Sequence, residues 1–168
     1  DGFGVWEAPA CSAGFAHRRL SILDLSLAGA QPMEGQNETV ICHNGEVYNY
    51  LELREKLSSG WRFKSHTDTE TILAAYAKYG LDCVTHLRGM FAFAIWDERN
   101  KRMFCARDRF GIKPFYYTVV DGVFYFASEA KALLPFLSSI DTDPNALAEY
   151  LTFQYTIGEH TLFAGIKQ

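Results

Sequence analysis

Residues 39–57, TVICHNGEVYNYLELREKL, place an apolar run, an Asn-Gly pair and an amphipathic segment in direct succession. The run TVIC is typical of a short buried strand, and Asn44-Gly45 after it predicts a tight turn, because both residues tolerate positive φ. The segment Tyr50–Leu57 repeats apolar residues at helical spacing with charges between them, which predicts a helix. The Asn-Gly pair also has a chemical interpretation, since an asparagine amide beside an exposed glycine N–H is a two-donor oxyanion site. At this point both interpretations stand.

The segments on either side of this stretch add more strands than helices. Upstream, two strand-like runs are separated by a turn at Pro9 and Ser12; downstream, a second helix is expected with Thr67 or Asp68 as its N-cap. The predicted strands are FGVWEA, AGFAHRRLSIL, WRFKS, MFAFAIWD, RMFCARD, FYYTVV and VFYFAS. Further helical segments are LDCVTHLRG, EAKALLPFL up to Pro135, and DPNALAEYLTF. These strands exceed what one flat sheet would bury. We therefore predict an α+β fold in which two stacked antiparallel sheets are covered by helices.

The composition bounds the class of protein. The 168 residues fit one domain, and a hydrophobic content of 48% suffices for a core. No apolar stretch approaches the ~20 residues of a membrane span, and the net charge of −4 offers no basic surface for nucleic acid. The four cysteines form no C-x-x-C pair and the histidines lack ligand spacing, so we predict no metal site. We also predict that the protein is located in the reducing cytoplasm.

Polar residues at predicted strand ends and helix starts suggest a site for a free amino acid. The guanidinium of Arg19 could grip an α-carboxylate through a bidentate fork, and the carboxylate of Asp68 could pair with an α-ammonium. Asn44 and Gly45 would then face the side chain of the substrate. Each residue also has a plain structural interpretation: Arg19 could pair with a surface carboxylate, and Asp68 could be a helix cap alone.

Six segments in this order resemble a known family. They are HRRLSILDLSLAGAQPM, NGEVYNYLELREKL, SHTDTETILAAYAKYG, LRGMFAFAIWDE, RDRFGIKPFYY and FASEAKALL. Together they resemble the N-terminal domain of glutamine-hydrolysing asparagine synthetases, a class II (N-terminal nucleophile) glutamine amidotransferase. The resemblance implies a four-layer αββα sandwich of the N-terminal-nucleophile-hydrolase type with two antiparallel sheets, here without its first strands.

The resemblance also implies roles for individual residues. Arg19 corresponds to the residue that binds the α-carboxylate of L-glutamine, and Asp68 to the ligand of its α-ammonium, with Glu46 beside it. Asn44 and Gly45 correspond to the oxyanion hole, and the backbone of Ile22 faces the same substrate. In the family, the thiolate of an N-terminal cysteine attacks glutamine and its own α-amine is the base.

The sequence departs from the family at its start. The family begins with Met-Cys-Gly and continues to a His-Arg-Gly-Pro-Asp-Gly motif. The first residues of this sequence, DGFGVW, resemble the end of that motif. We therefore expect the nucleophile to lie outside this sequence and this piece alone to be inactive. Cys11 follows Pro9-Ala10 inside the chain and has no free α-amine, so it cannot replace that nucleophile.

The expected domain organisation is an N-terminally truncated amidotransferase domain over residues 1–138. Residues 139–168 would begin the connection to a C-terminal synthetase domain, which would use the released ammonia. No cofactor is expected in the amidotransferase domain; ATP and magnesium are expected in the synthetase domain. The expected partners are L-glutamine and that domain, and a homodimer is left open.

Two other functions remain open from the sequence. One is the glutaminase domain of another ATP-dependent amidotransferase, such as an enzyme of polysaccharide biosynthesis. The other is a non-catalytic scaffold, as in β-lactam synthetases, which keep such a domain without the nucleophile. The presence of Arg19, Asn44, Gly45 and Asp68 favours an enzyme.

Overall fold

The computed structural model describes residues 2–9, 12–20 and 22–168. Their internal contacts divide the chain into two compact units, Asp1–Lys113 and Pro114–Gln168. The boundary expected after residue 138 falls inside the second unit, and the assignment of residues 139–168 to a connection stays a prediction. Cys11 lies outside the described residues.

The first unit opens with a hairpin and continues with a four-stranded sheet. Strands β1 (Gly2–Glu7) and β2 (Gly14–Arg19) pair antiparallel, as predicted. The sheet has the antiparallel order β3-β4-β5-β6, formed by β3 (Met33–Glu34), β4 (Thr39–Val47), β5 (Gly89–Asp97) and β6 (Arg102–Arg107). Strand β3 pairs with β4 at Val40 and Ile41 only, so the far half of β4 has an edge that no strand among the described residues covers.

The helices of the first unit cover one face of this sheet. They are α1 (Tyr50–Leu57), α2 (Asp68–Tyr79) and the short α3 (Cys83–His86). Because side chains alternate along a strand, one face of β4 and β5 shares a core with α1 and α2, made of Ile41, Val47, Phe91, Phe93, Ile95, Leu53, Leu57, Ile72 and Leu73. Every residue from Asp68 to Tyr76 is buried, so the polar start of α2 lies inside the protein, where its charges need partners.

Asn44-Gly45 is not a turn, which corrects the sequence prediction. Strand β4 runs through both residues to Val47, with Asn44 opposite Ala92 and Gly45 opposite Phe91. Gly45 has φ 144°, and a β-carbon there would lie 2.1 Å from the carbonyl oxygen of Met90. The glycine is needed because the backbone of β5 approaches closely, and the positive φ serves that approach rather than a reversal of the chain.

Two further local predictions are wrong. The segment WRFKS is not a strand, because the backbone N–H groups of Lys64 and Ser65 donate to the carboxylate of Glu70 instead of to a neighbouring strand. The segment EAKALLPFL, predicted to be helical up to Pro135, forms two short 3-10 turns, Ala130–Ala132 and Leu134–Phe136, rather than an α-helix. A proline at the second of these turns cannot donate the hydrogen bond that a longer helix would need.

The second unit contains the hairpin of β7 (Tyr116–Val120) and β8 (Val123–Ala127) and the helix α4 (Pro144–Phe153). Asp121 and Gly122, at φ 50° and 78°, form the predicted turn between the strands. Asp143 caps α4 by accepting from the backbone of Asn145 and Ala146, also as predicted. The α+β class is thereby confirmed in both units. None of the described helices is long and apolar enough to cross a membrane.

Candidate functional site

The uncovered half of β4 presents one row of backbone groups, which we call the open edge (His43 to Val47, on the side away from β5). The side chain of Gln31 binds His43 at this edge: its Oε1 accepts from the His43 N–H at 2.6 Å and its Nε2 donates to the His43 carbonyl at 3.1 Å. The Val47 N–H donates to Oδ2 of Asp68 at 2.8 Å. Backbone N–H directions alternate along a strand, so the N–H of Gly45 points to the same edge, between the amide of Gln31 and the carboxylate of Asp68.

Asp68 is the first residue of α2 and its side chain is buried. Its two oxygens accept from the backbone N–H groups of Val47 and Thr69, the second at 2.9 Å. Burial raises the pKa of this carboxyl, and these backbone hydrogen bonds only partly oppose the rise. A buried carboxylate with few donors is stabilised by a nearby cation, so this position suits an ammonium group.

Arg19 ends β2, and its guanidinium binds carbonyl groups of the chain that follows. Nη2 donates to the carbonyls of Leu23, at 2.8 Å, and Asp24, and Nη1 donates to the carbonyl of Ser26 at 3.2 Å. We call these three carbonyls the arginine socket. Both N–H groups of Nη2 already donate to carbonyls of the chain. A carboxylate ligand could therefore accept a single hydrogen bond, either from Nε or from the second N–H of Nη1. This differs from the expected bidentate fork.

Two contacts connect the arginine socket to the start of α2. A β-carbon at Gly29 would lie 2.4 Å from Nη2 of Arg19 and 2.9 Å from Cγ2 of Thr67, so the guanidinium and the N-cap of α2 both lie close to this glycine. The carboxylate of Asp24 also accepts from the N–H of His66 at 2.8 Å. The first unit thus brings Arg19 and the N-terminal turn of α2 into one region.

The remaining predicted residues fall around the same strand. Asn44 and Glu46 are half-buried, and by alternation their side chains lie on the face of β4 opposite to α2. The side chain of Ile22 is 68% exposed, and its link to the group is its place in the chain beside Leu23. Asp68 is therefore held at the strand edge of Gly45 by the Val47 N–H, and Arg19 lies near the start of α2 through Gly29 and Asp24. Asn44 and Glu46 lie on the same strand as Gly45.

Three residues of the region were missed by sequence reasoning: Asp24, Gly29 and Gln31. The pattern Asp24-x-Ser26 is a recognisable local signal, since an aspartate often accepts from the backbone two residues later, and here Oδ1 accepts from the Ser26 N–H at 3.0 Å. Gly29 and Gln31 carry no comparable signal, because their contacts are with residues far along the chain.

Beneath the site, His43 is buried and neutral. Its Nδ1 lies 3.1 Å from Oγ1 of Thr69, and its Nε2 has no hydrogen-bond partner among the described residues. Burial, with smaller contributions from His17 and Lys113, lowers the pKa of His43 to about 3. This histidine therefore does not carry a charge beside Asp68 at neutral pH.

The described cysteines are poor nucleophiles. Cys42, Cys83 and Cys105 are free thiols, and burial raises the pKa of each to about 12. A thiol with such a pKa holds almost no thiolate at neutral pH. Within residues 2–9, 12–20 and 22–168, no group of three or more His, Cys, Asp or Glu side chains is arranged to hold a metal ion.

The sequence of this chain is similar to that of larger enzymes. It is 46% identical over 157 residues to "Asparagine synthetase [glutamine-hydrolyzing] 1" of Bacillus subtilis, covering 92% of this chain and 25% of that protein. It is 45% identical over 124 residues to "Amidase chyE" of Penicillium rubens, covering 73% of this chain and 18% of that protein. The chain therefore spans about a quarter or less of the length of these relatives.

A solved structure and a family match agree with this similarity. The glutamine phosphoribosylpyrophosphate amidotransferase of B. subtilis, complexed with ADP and GMP, superposes with a TM-score of 0.63 at 22% identity, covering 79% of this chain and 31% of that chain. This likeness confirms the expected fold of the N-terminal-nucleophile amidotransferases. The family described as "Glutamine amidotransferase domain" matches residues 1–168, so the chain belongs to the glutamine amidotransferase domain family.

Proposed function

We propose that this chain is the glutaminase part of an asparagine synthetase: it binds L-glutamine, and the longer enzyme transfers the released ammonia to aspartate. The observation that carries the proposal is the hydrogen bond from the Val47 N–H to the buried carboxylate of Asp68, which places that carboxylate at the strand edge to which the Gly45 N–H points by alternation. A donor for a developing oxyanion and an acceptor for an ammonium group are thereby placed side by side. The similarity to a glutamine-hydrolysing asparagine synthetase supports the choice of substrate and acceptor.

In the proposed reaction, the described residues bind and polarise glutamine. Asp68 accepts from the α-ammonium, and Arg19 donates to the α-carboxylate from Nε or Nη1. Asn44 and Gly45 donate to the amide oxygen, whose charge grows as a thiolate attacks the amide carbon. The base passes the thiol proton to the amide nitrogen, which leaves as ammonia, and water cleaves the resulting thioester to glutamate and free thiol.

The thiolate in this proposal belongs to a residue other than Cys42, Cys83 and Cys105, because those thiols stay protonated. We assign it to the N-terminal cysteine that the family resemblance implies, with its α-amine as the base. ATP and magnesium belong to the synthetase domain in this proposal, and residues 139–168 lead towards it. We place the enzyme in the cytoplasm, where free thiols persist.

The proposal is tested by replacing Asn44 with alanine in the full-length polypeptide. The ground-state amide carries little charge and the tetrahedral intermediate a full one, so this donor acts mainly in the transition state. We expect kcat for glutamine hydrolysis to fall about 100- to 1,000-fold, with ammonia-dependent synthesis unchanged. The Gly45 N–H remains in this variant, so residual activity should survive.

A matched variant tests the binding role of Arg19. Arg19→Ala should raise KM for glutamine about 10- to 100-fold, as expected for one lost hydrogen bond to a charged group. Because the α-carboxylate does not change during the reaction, kcat should change little. Equal loss of ammonia-dependent synthesis in either variant would count against the proposal, because ammonia bypasses this site.

One comparison favours a second candidate function, in which the ammonia acceptor is not aspartate. The similarity to a protein named an amidase leaves open an enzyme that forms or cleaves a different amide. Full-length enzyme supplied with glutamine and ATP distinguishes the two: aspartate-dependent formation of asparagine supports the synthetase. Glutamine hydrolysis without any asparagine would instead favour the second acceptor.

A further inference from the structure

We propose that Asp24 is a positioning residue for substrate recognition: it fastens the loop that forms the arginine socket to the start of α2, and so sets the direction of the Arg19 guanidinium. The inference rests on the proposed function, because it concerns how Arg19 meets glutamine. It assigns a role to a residue that neither touches the open edge nor was predicted from the sequence.

The two carboxylate oxygens of Asp24 accept hydrogen bonds from two different segments of the chain. Oδ1 accepts from the N–H of Ser26 at 3.0 Å and from its hydroxyl at 2.5 Å, which closes a local turn. Oδ2 accepts from the N–H of His66 at 2.8 Å, forty-two positions away in sequence. The second bond links this loop directly to the segment that leads into α2.

The backbone of Asp24 belongs to the arginine socket itself. Its carbonyl and that of Leu23 accept both N–H groups of Nη2 of Arg19. Any shift of Asp24 relative to α2 therefore shifts the guanidinium by a similar amount. Since the Asp68 carboxylate is fixed at the same helix start by the N–H groups of Val47 and Thr69, the Asp24–His66 bond controls the separation between the two groups that would hold the ends of an amino acid.

The electrostatics of the region support a charged carboxylate at this place. Hydrogen bonds from the Ser26 hydroxyl and then the His66 N–H lower the pKa of Asp24 to about 2. The group is thus ionised at every pH at which the enzyme would work. Its charge lies near the N-terminal end of α2, where a helix favours an anion.

The first test uses the full-length enzyme with Asp24→Asn. The amide can still accept from Ser26, but its NH₂ group would face the His66 N–H, so the link to α2 is lost and the local turn is kept. We expect KM for glutamine to rise about tenfold, the effect of one lost hydrogen bond to a charged group. The kcat for glutamine and the ammonia-dependent rate should stay within twofold.

Asp121→Asn is the matched control. Asp121 is exposed in the β7–β8 turn, and its φ of 50° matches the 51° of Asp24, so the control repeats both the loss of charge and the backbone conformation. We expect no change in KM. A tenfold rise in the control would overturn the proposal, because charge alone would explain the effect.

His66→Pro breaks the same bond from its other side, since proline has no N–H to donate. If the bond is the cause, KM should rise by a similar factor, and the double variant should be no worse than either single one. Additive effects would overturn the proposal. Hydrogen exchange at the His66 amide provides a readout that does not depend on activity: exchange should quicken at least tenfold in Asp24→Asn, and an unchanged rate would overturn the proposed bond.

The outcomes separate this inference from the proposed function. A wild-type enzyme that hydrolyses glutamine, with Asp24→Asn at wild-type KM, overturns the role of Asp24 and leaves the function standing. A wild-type enzyme without glutamine-dependent activity overturns the function, and the role of Asp24 in it as well. An equal fall of glutamine- and ammonia-dependent rates in Asp24→Asn shows a general loss of structure, which also overturns the positioning role.

Discussion

Asp68 and Glu70 are buried carboxylates two residues apart in the first turn of α2, and their surroundings are opposite in character. Glu70 accepts from the backbone N–H groups of Lys64 and Ser65, the Ser65 hydroxyl and Nε1 of Trp61. Asp68 accepts from two backbone N–H groups, those of Val47 and Thr69. The first carboxylate is fully supplied with donors, whereas the second retains capacity for a ligand.

The direction of each pKa reflects this difference. At Glu70, burial by itself would raise the pKa, but hydrogen bonds led by that from Ser65 hold it below the ordinary value. At Asp68, burial prevails and the pKa is raised. Two carboxylates of equally low solvent exposure in one helix turn therefore differ in effect. That of Glu70 stabilises the fold, and the charge of Asp68 costs free energy unless a cation binds beside it.

The largest expected effect is on stability, from Glu70→Ala. The change removes the acceptor of the buried Trp61 and Ser65 donors and of the partly buried Lys64 N–H, and we expect the free energy of unfolding to fall by about 3–5 kcal/mol. Denaturant titration of the full-length protein measures this. Glu70→Gln keeps one acceptor oxygen and should lose roughly half as much; equal losses would show that the side-chain volume, not the hydrogen bonds, is responsible.

The second effect is on substrate use, from Asp68→Asn. Loss of the negative charge should raise KM for glutamine about 10- to 100-fold, with stability changed by less than about 1 kcal/mol because the lost charge was itself costly. Steady-state kinetics per folded molecule measures KM. In Glu70→Gln, KM should stay at the wild-type value, and a comparable rise there would remove the functional distinction between the two carboxylates.

A third and smaller effect comes from Thr67, the N-cap that both carboxylates share. Its hydroxyl accepts from the Glu70 N–H at 3.2 Å, so Thr67→Ala should cost about 1 kcal/mol of unfolding free energy. Thr67→Ser keeps the hydroxyl and should recover most of that loss. If serine recovers none of it, the methyl contact beside Gly29, rather than the cap, holds the helix start.

The smallest effect is a difference in pH dependence. The lowered pKa of Glu70 gives stability that is present above its ordinary value of 4.5 and is lost as pH falls through the folded-state pKa. The raised pKa of Asp68 acts in the other direction: stability is highest below its ordinary value of 3.8 and decreases as pH rises through the folded-state pKa.

Unfolding free energies of the two neutral variants, measured against wild type at pH 3 and pH 7, check these signs. Glu70→Gln should be more destabilising at pH 7 than at pH 3. Asp68→Asn should be relatively more stable at pH 7 than at pH 3. Parallel pH curves for the two variants would mean that the two carboxylates do not differ as described.

The start of α2 shows how far the sequence could predict this region. Thr67 and Asp68 were both candidates for the N-cap, and a cap is a local pattern of a hydroxyl or carboxyl three residues before an N–H. The structure gives the cap to Thr67, which leaves the Asp68 carboxylate for β4. The sequence thus predicted the helix and its polar start correctly. It could not show which of Thr67 and Asp68 caps the helix, because the Val47 N–H that binds Asp68 comes from a strand twenty-one positions earlier.

Two of the errors originate in long-range contacts. WRFKS alternates like a strand, but a buried carboxylate on α2 takes its N–H groups. Asn44-Gly45 has the composition of a turn, but the close approach of Met90 and Phe91 selects glycine inside a strand. The open edge could not be foreseen either, since it depends on where β3 ends.

The open edge of β4 also bears on which molecules can approach it. An uncovered strand normally invites another extended chain, because it presents a row of N–H and C=O groups. Here the side chains of Gln31 and Asp68 occupy the positions on either side of Gly45 that a neighbouring strand would use. A peptide or a second copy of this protein would need several consecutive groups to add as a strand, whereas a single amide needs one. Among the described residues, the two side chains beside the Gly45 N–H therefore leave room at this edge for a single amide rather than for an added strand, which agrees with the proposed substrate.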